Sequence, residues 1–382
     1  YFVLVNDLVA DENDAGYQAF ASASANGGLG WEPILDPNTP FTGHLDGNGK
    51  TISGLVINRP NADNIGLFSA VGNGATIKDL NISATIEGRS SVGAIAGIMG
   101  NSSLVNVRVE ETTIVAGAVP TKEQQSEEID GNALASSFVG GLIGQAKDGG
   151  SVTNGAADRL IIRAEGSRAG GLVGYLENGQ LLQSNATVQL SAPGGVGGLV
   201  GRLGIRAGTP DPRIEQSWAN VAIETGDCPI FTPDSDINIT GIGGLAGVLD
   251  SFNAEINQSY ASVSIQLGDN CQRAAGLVGY NNLGTIKNSY VLGQITAGAN
   301  SQHIASVMGD HFNPPAIINS YGAVDITVGT NGQNIGGLIG SANGFSGISE
   351  SFYDQDLTGN TNDDCDSEFA PCGEGKTTLE LK

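Results

Sequence analysis

The chain has 382 residues, 58 of them glycine, with 17 Lys+Arg against 40 Asp+Glu and a formal net charge of -23. Glycine stands at about twice its usual share of ~7%, and 40% of the residues are hydrophobic, enough for a long core. An acidic chain without a basic cluster argues against nucleic acid and anionic membranes as partners, since both need a basic face, and apolar runs of only a few residues argue against membrane insertion of this segment.

The chain opens at Tyr1, with no Met and no charged-then-apolar leader, and so reads as a processed or excised piece of a larger polypeptide. Residues 1–57 read as an N-terminal cap with the first rungs. From 58 to 348 a glycine-framed motif returns, as in Gly170-Gly171-Leu172-Val173-Gly174 and Gly243-Gly244-Leu245-Ala246-Gly247. Its central aliphatic residues are Leu67, Ile95, Leu142, Leu172, Leu199, Leu245, Leu277, Val307 and Leu338, spaced 27 to 32 residues apart except for two gaps of 47 and 46. A period of about 30 residues is that of a solenoid. The two long gaps mark insertions at 117–137 and 224–240, both just before a Gly-Gly-Leu strand and so expected at one corner of the coil. Residues 349–382 form a C-terminal cap.

Within each unit the apolar residues alternate with period 2, as in Val263-Ser264-Ile265, and the glycines recur too often for helices. The spacing predicts an all-β, parallel β-helix in one domain, with about nine rungs of three short strands each.

The second half of each unit reads Ile286-Lys287-Asn288-Ser289-Tyr290, Ile256-Asn257-Gln258-Ser259-Tyr260 or Ile214-Glu215-Gln216-Ser217-Trp218. Gly-Gly-Leu-Val-Gly followed by this Ile-x-Asn-Ser-Tyr segment resembles the GLUG repeat of bacterial surface and secreted proteins. The opening Phe41-Thr42-Gly43-His44-Leu45-Asp46-Gly47-Asn48-Gly49 and the closing Phe352-Tyr353-Asp354 fit the same pattern, so the resemblance covers essentially the whole chain. It implies a right-handed coil within a large adhesin-like or cell-surface protein, and no single enzymatic activity.

Several constellations carry expectations of their own. The aromatics Trp218, Tyr260, Tyr290, Tyr321 and Phe352 each follow the repeat Ile by four residues. Strand alternation then puts them on the side of the buried Ile, as an internal stack, the alternative being an outer sugar-binding strip. Two residues after each Ile stands a polar ladder of Asp79, Asn106, Asn154, Gln183, Gln216, Gln258, Asn288, Asn319 and Glu350, expected to satisfy turn amides and one another.

Cys228 pairs best with Cys271 and Cys365 with Cys372, in an oxidising compartment outside the cytoplasm. Asp354, Asp356, Thr358 and Asn360 have the oxygen spacing of the start of an EF-hand loop, although Cys365 stands where the bidentate Glu belongs; calcium is the one cofactor this suggests. His303 and His311 flank the irregular Val307 unit.

The reading that joins these features is a noncatalytic extracellular or cell-surface module, an adhesin stalk or a ligand-presenting, glycan-binding domain. Its partners would be a surface glycan, a protein, or neighbouring copies of itself. The alternatives are a polysaccharide lyase or hydrolase with a carboxylate-lined groove near the two histidines, and a self-assembling filament subunit.

Overall fold

A computed structural model describes residues 1–382 apart from 11–14, 73, 118–137, 166–167, 205–210, 229–240, 252, 314–315, 342–346, 359–372 and 382. The described chain is all-β with little helix, a β-solenoid of about 8 turns. A representative turn runs through Ile242–Gly243, Ala246–Asp250, Glu255–Asn257 and Tyr260–Gln266. Each of these strands pairs in parallel with its equivalent one turn on, at Gln272–Ala275, Val278–Asn282, Thr285–Lys287 and Tyr290–Ala297. The stacks form a 9-stranded sheet, an 8-stranded sheet, and a 21-stranded sheet that holds the last two strands of every turn. The 9-stranded sheet has one strand just ahead of each Gly-Leu marker, so the glycine period is the axial repeat.

Alternation decides which side chains fill the coil. In Trp218–Glu224, Ala219, Val221 and Ile223 are buried while the residues between them face out. The marker residues Leu142, Leu172, Leu199, Leu245 and Leu277 are all fully buried and stack one above another. Each contributes about 1.5–3 kcal/mol of burial that only its neighbouring turns complete.

The glycine before each marker answers a packing need. A Cβ at Gly244 would overlap the Gly276 carbonyl oxygen and the Val263 side chain, and Gly171 and Gly198 are pressed in the same way by the next turn. Ser306 breaks the rule, and the structure compensates for it. The column Ala186, Ala219, Ala261, Val291 is followed by Gly322, where a Cβ would run into the Ser306 side chain. Ser306 uses that space and donates its hydroxyl to the Gly337 carbonyl.

A second internal column consists of serines. The hydroxyl oxygens of Ser184, Ser217, Ser259, Ser289, Ser320 and Ser351 accept the amides of Gly155, Ser184, Ser217, Ser259, Ser289 and Ser320 at 3.0–3.3 Å. Each also donates to the carbonyl two residues back, Ser259 to Asn257 at 2.8 Å. These buried amides lie at the bend between the two strands of the large sheet, where ladder pairing is interrupted, and the serine supplies the missing acceptor. Ser259→Ala leaves the Ser217 amide buried without its acceptor; a loss of about 1–3 kcal/mol is expected, read from the shift of the urea midpoint.

Cys228 and Cys271 are joined by a disulfide across a sequence separation of 43. The Cys228 amide donates to the Asp269 carbonyl at 2.9 Å, and the strand before it extends to Glu224. The chain therefore keeps step with the next turn through the first residues of the segment 224–240 that the sequence marks as inserted. Cys365 and Cys372 lie outside the described residues.

Candidate functional site

With the core closed, the outward rows of side chains are what the molecule offers to a partner. The first row corrects an expectation. Trp218, Tyr260 and Tyr290 stack ring on ring, with centroids 5.9 and 5.0 Å apart and planes within 11° and 4°, but on the outside of the coil, where Tyr290 is 41% exposed. Counting alternation straight through from the repeat Ile fails because the chain bends on the way. The residue two after the Ile has a left-handed backbone (Gln216 φ 51°, Gln258 φ 50°, Asn288 φ 51°), and the serine after it turns inward, so the next residue turns out. Tyr321 and Phe352 follow in register, and the Lys376 ammonium lies 3.7 Å from the centroid of the Phe352 ring. The three stacked rings cover one another's faces along that stretch.

The polar ladder is present, and its members from Asp79 to Glu350 all have φ between 47° and 54°. Asn106 donates to Asp79 at 2.8 Å, Asn154 to Asn106 at 3.0 Å, Gln183 to Gln216 and Gln216 to Gln258 at 3.2 Å, and Asn319 to Asn288 at 2.8 Å. Asn288 donates instead to Asn257, at 2.9 Å. These bonds are exposed and run from side chain to side chain, so the ladder contributes less through the turn amides than expected. Asn is favoured here because it tolerates the left-handed region. Asn288→Leu is expected to lose about 1–2 kcal/mol and Asn288→Gly to lose less, by urea denaturation.

The third row lies on the outer side of the 9- and 8-stranded sheets. Phe138 and Arg168 are register partners on adjacent turns of one sheet, as are Tyr175 and Arg202 of the other. Across the corner the Phe138 and Tyr175 rings stack at 5.3 Å. The Arg168 guanidinium carbon lies 5.5 Å from the Phe138 centroid and that of Arg202 5.6 Å from the Tyr175 centroid. Arg202 is paired with Asp250, which also accepts from Asn282 at 3.0 Å. Burial pushes Arg168 down to about 10, and the like charge of Arg202 adds to the drop; Tyr175 is raised, mainly by burial.

Further along the same row, Arg273 lies over Tyr280 at 4.6 Å and donates to Asp310 at 2.8 Å, with His303 Nδ1 3.8 Å from the same carboxylate oxygen. Asp310 is only 4% exposed. His311 does not join this group. Its column in the register is Leu203, Leu249 and Asn281, inside the coil, so the two histidines face opposite sides of the wall and do not form one groove.

The expected calcium loop is partly placed. Asp354 is buried against a short helix, Gln355–Thr358, accepting the amides of Asp356 at 3.1 Å and Leu357 at 3.3 Å and the Thr378 hydroxyl at 2.8–2.9 Å. Asp356 accepts the Thr378 amide at 2.9 Å, and Thr358 is buried. The two carboxylates thus fasten the closing segment 374–381 to the last turn. Asn360 lies outside the described residues, and among those described no group of three His, Cys, Asp or Glu side chains is set to hold a metal ion. Nor is any described helix long and apolar enough to cross a membrane.

No family model matches the chain and no solved structure matches it. Among known proteins it is 32% identical over 185 residues to halomucin of Haloquadratum walsbyi, covering 48% of this chain and 2% of that protein. It is 42% identical over 89 residues to a Gly-rich membrane protein of Evansella cellulosilytica, 22% of this chain and 10% of that one. It is 26% identical over 243 residues to an immunoglobulin A1 protease of Streptococcus sanguinis, 63% of this chain and 10% of that one. The chain thus spans at most a tenth of each of these relatives, and what it resembles is in each case a segment of a much longer protein.

Proposed function

We propose that this chain is a noncatalytic, extracellular β-helical module of a much longer surface protein, a rigid stalk that presents a ligand-binding face. In this reading its repeats are of the GLUG type and the coil is right-handed, with three faces per turn and both ends capped. The observation that carries the proposal is the unbroken parallel register of the large sheet, from Thr85 through Thr113, Ile161, Gln189, Ala222, Ser264 and Gln294 to Asp325. A stack that continuous resists bending, and its length grows with turn number. At ~4.8 Å per step, about eight turns give a rod of roughly 40 Å. The disulfide and the small share of each relative that the chain occupies favour a segment outside the reducing cytoplasm. An antibody raised against the folded chain should label intact source cells without permeabilisation; labelling that requires permeabilisation contradicts the reading.

A further inference from the structure

We propose that the stack of Arg168, Phe138, Tyr175 and Arg202 is a binding site for the carboxylate of an acidic polysaccharide, a uronate-bearing glycan. The inference deepens the ligand-presenting reading and rests on it. Each of two guanidinium groups lies over one ring of a stacked pair, at the corner where the 9- and 8-stranded sheets meet. Arg202 has its carboxylate in Asp250. Among the described residues Arg168 has a ring beneath it and the like charge of Arg202 near it, offset in part by Asp250, and no carboxylate within ion-pair distance. A half-buried cation kept next to another cation is unfavourable by itself, and an anion bound to Arg168 offsets both the desolvation and the repulsion. The guanidinium fork matches a planar carboxylate in two parallel hydrogen bonds.

The surroundings narrow the class of anion. Asp250 and the buried Glu177 border the row on the adjacent outward column, each one turn from Gly204 and on opposite sides of it in the register. A highly charged group such as a phosphate would meet their repulsion, whereas a single carboxylate fits one guanidinium. The Tyr175 hydroxyl and the Phe138 edge offer a hydrogen bond and an apolar surface to the sugar that carries it. The chain's overall charge of -23 repels any polyanion at long range, so the affinity has to come from this desolvated contact, which salt screens far less than it screens the repulsion. Binding should accordingly strengthen, or hold steady, as salt rises from 20 to about 200 mM.

The test is calorimetric titration of the whole chain with oligomers of galacturonate, glucuronate, mannuronate and guluronate, each beside its methyl ester. At least one acid oligomer should bind and its ester should bind at least tenfold more weakly. Arg168→Gln should lower that affinity at least tenfold, Arg168→Lys should lower it less, and Arg163→Gln, on an exposed site of the large sheet, should leave it unchanged. Circular dichroism and the urea midpoint establish that Arg168→Gln is folded; were it not, the ester comparison and Arg168→Lys still decide. The proposal is overturned if no acid oligomer binds, if the esters bind equally well, or if Arg168→Gln binds like the parent. Surface labelling of cells is independent of this residue, so failure of the glycan site and failure of the surface-module reading are told apart.

Discussion

Gly244→Ala should be among the most damaging single substitutions in the chain, lowering stability by about 3 kcal/mol or more or preventing folding altogether. One methyl group has this effect because its position is fixed by both neighbouring backbones. The added carbon would overlap the Gly276 carbonyl oxygen of the next turn and the side chain of Val263 inside the coil. The backbone cannot retreat, since Gly244 donates to that same Gly276 carbonyl at 3.0 Å and the following Leu245 is fully buried. Relief in one turn moves the next, so the strain is passed along the stack. Gly226→Ala is the control: nothing lies within 4 Å of its added carbon, and a change within about 0.5 kcal/mol is expected. Urea titrations of the two variants check the pair, and equal midpoints would show that the Gly-Leu signature is not a packing requirement.

The second large effect comes from the disulfide. Cys271→Ser or Cys228→Ser opens a closed loop of 43 residues, which loop-closure entropy values at about 4 kcal/mol through the unfolded chain. Cys271 is also fully buried, with its amide donating to the Ser301 hydroxyl at 3.2 Å, so a polar replacement adds to the loss. The midpoint of denaturation in the presence and absence of a reductant measures the effect. The parent should lose clearly more stability on reduction than the variants do. A parent equally stable in both conditions would mean that the bond contributes nothing and would remove one support for an extracellular setting.

The sequence carried the architecture well because the features that define it are local. Glycine and leucine at Gly243-Gly244-Leu245 and its equivalents recur in every turn and their period survives insertions, although about nine rungs are expected from it and the solenoid has about 8 turns. The side of the wall that a residue faces is less accessible. The aromatic row was placed inside because alternation was carried across Gln216, Gln258 and Asn288, whose left-handed backbone breaks the parity. A hint was nevertheless present: serine recurs directly before Trp218, Tyr260, Tyr290, Tyr321 and Phe352, and a small hydroxyl residue kept at a bend is suited to accepting a buried amide.

The arginine row was out of reach for a different reason. Phe138 meets Tyr175, and Arg202 meets Asp250, across long sequence separations, and only the register of the stacked turns brings them together. The same holds for Arg273, His303 and Asp310. Long-range chemistry on a solenoid is written across turns, at positions that no single repeat reveals.

The account depends above all on equivalent residues being stacked one turn apart along a single axis. Electron–electron dipolar spectroscopy on spin labels at Thr85→Cys and Asp325→Cys, and separately at Gln189→Cys and Asp325→Cys, measures this directly. Both pairs lie on the outer face, seven and four register steps apart. At ~4.8 Å per step the backbone separations should be about 34 and 19 Å, in the ratio of the step counts. Distances that do not scale with the number of turns would contradict the solenoid and every row of side chains built on it.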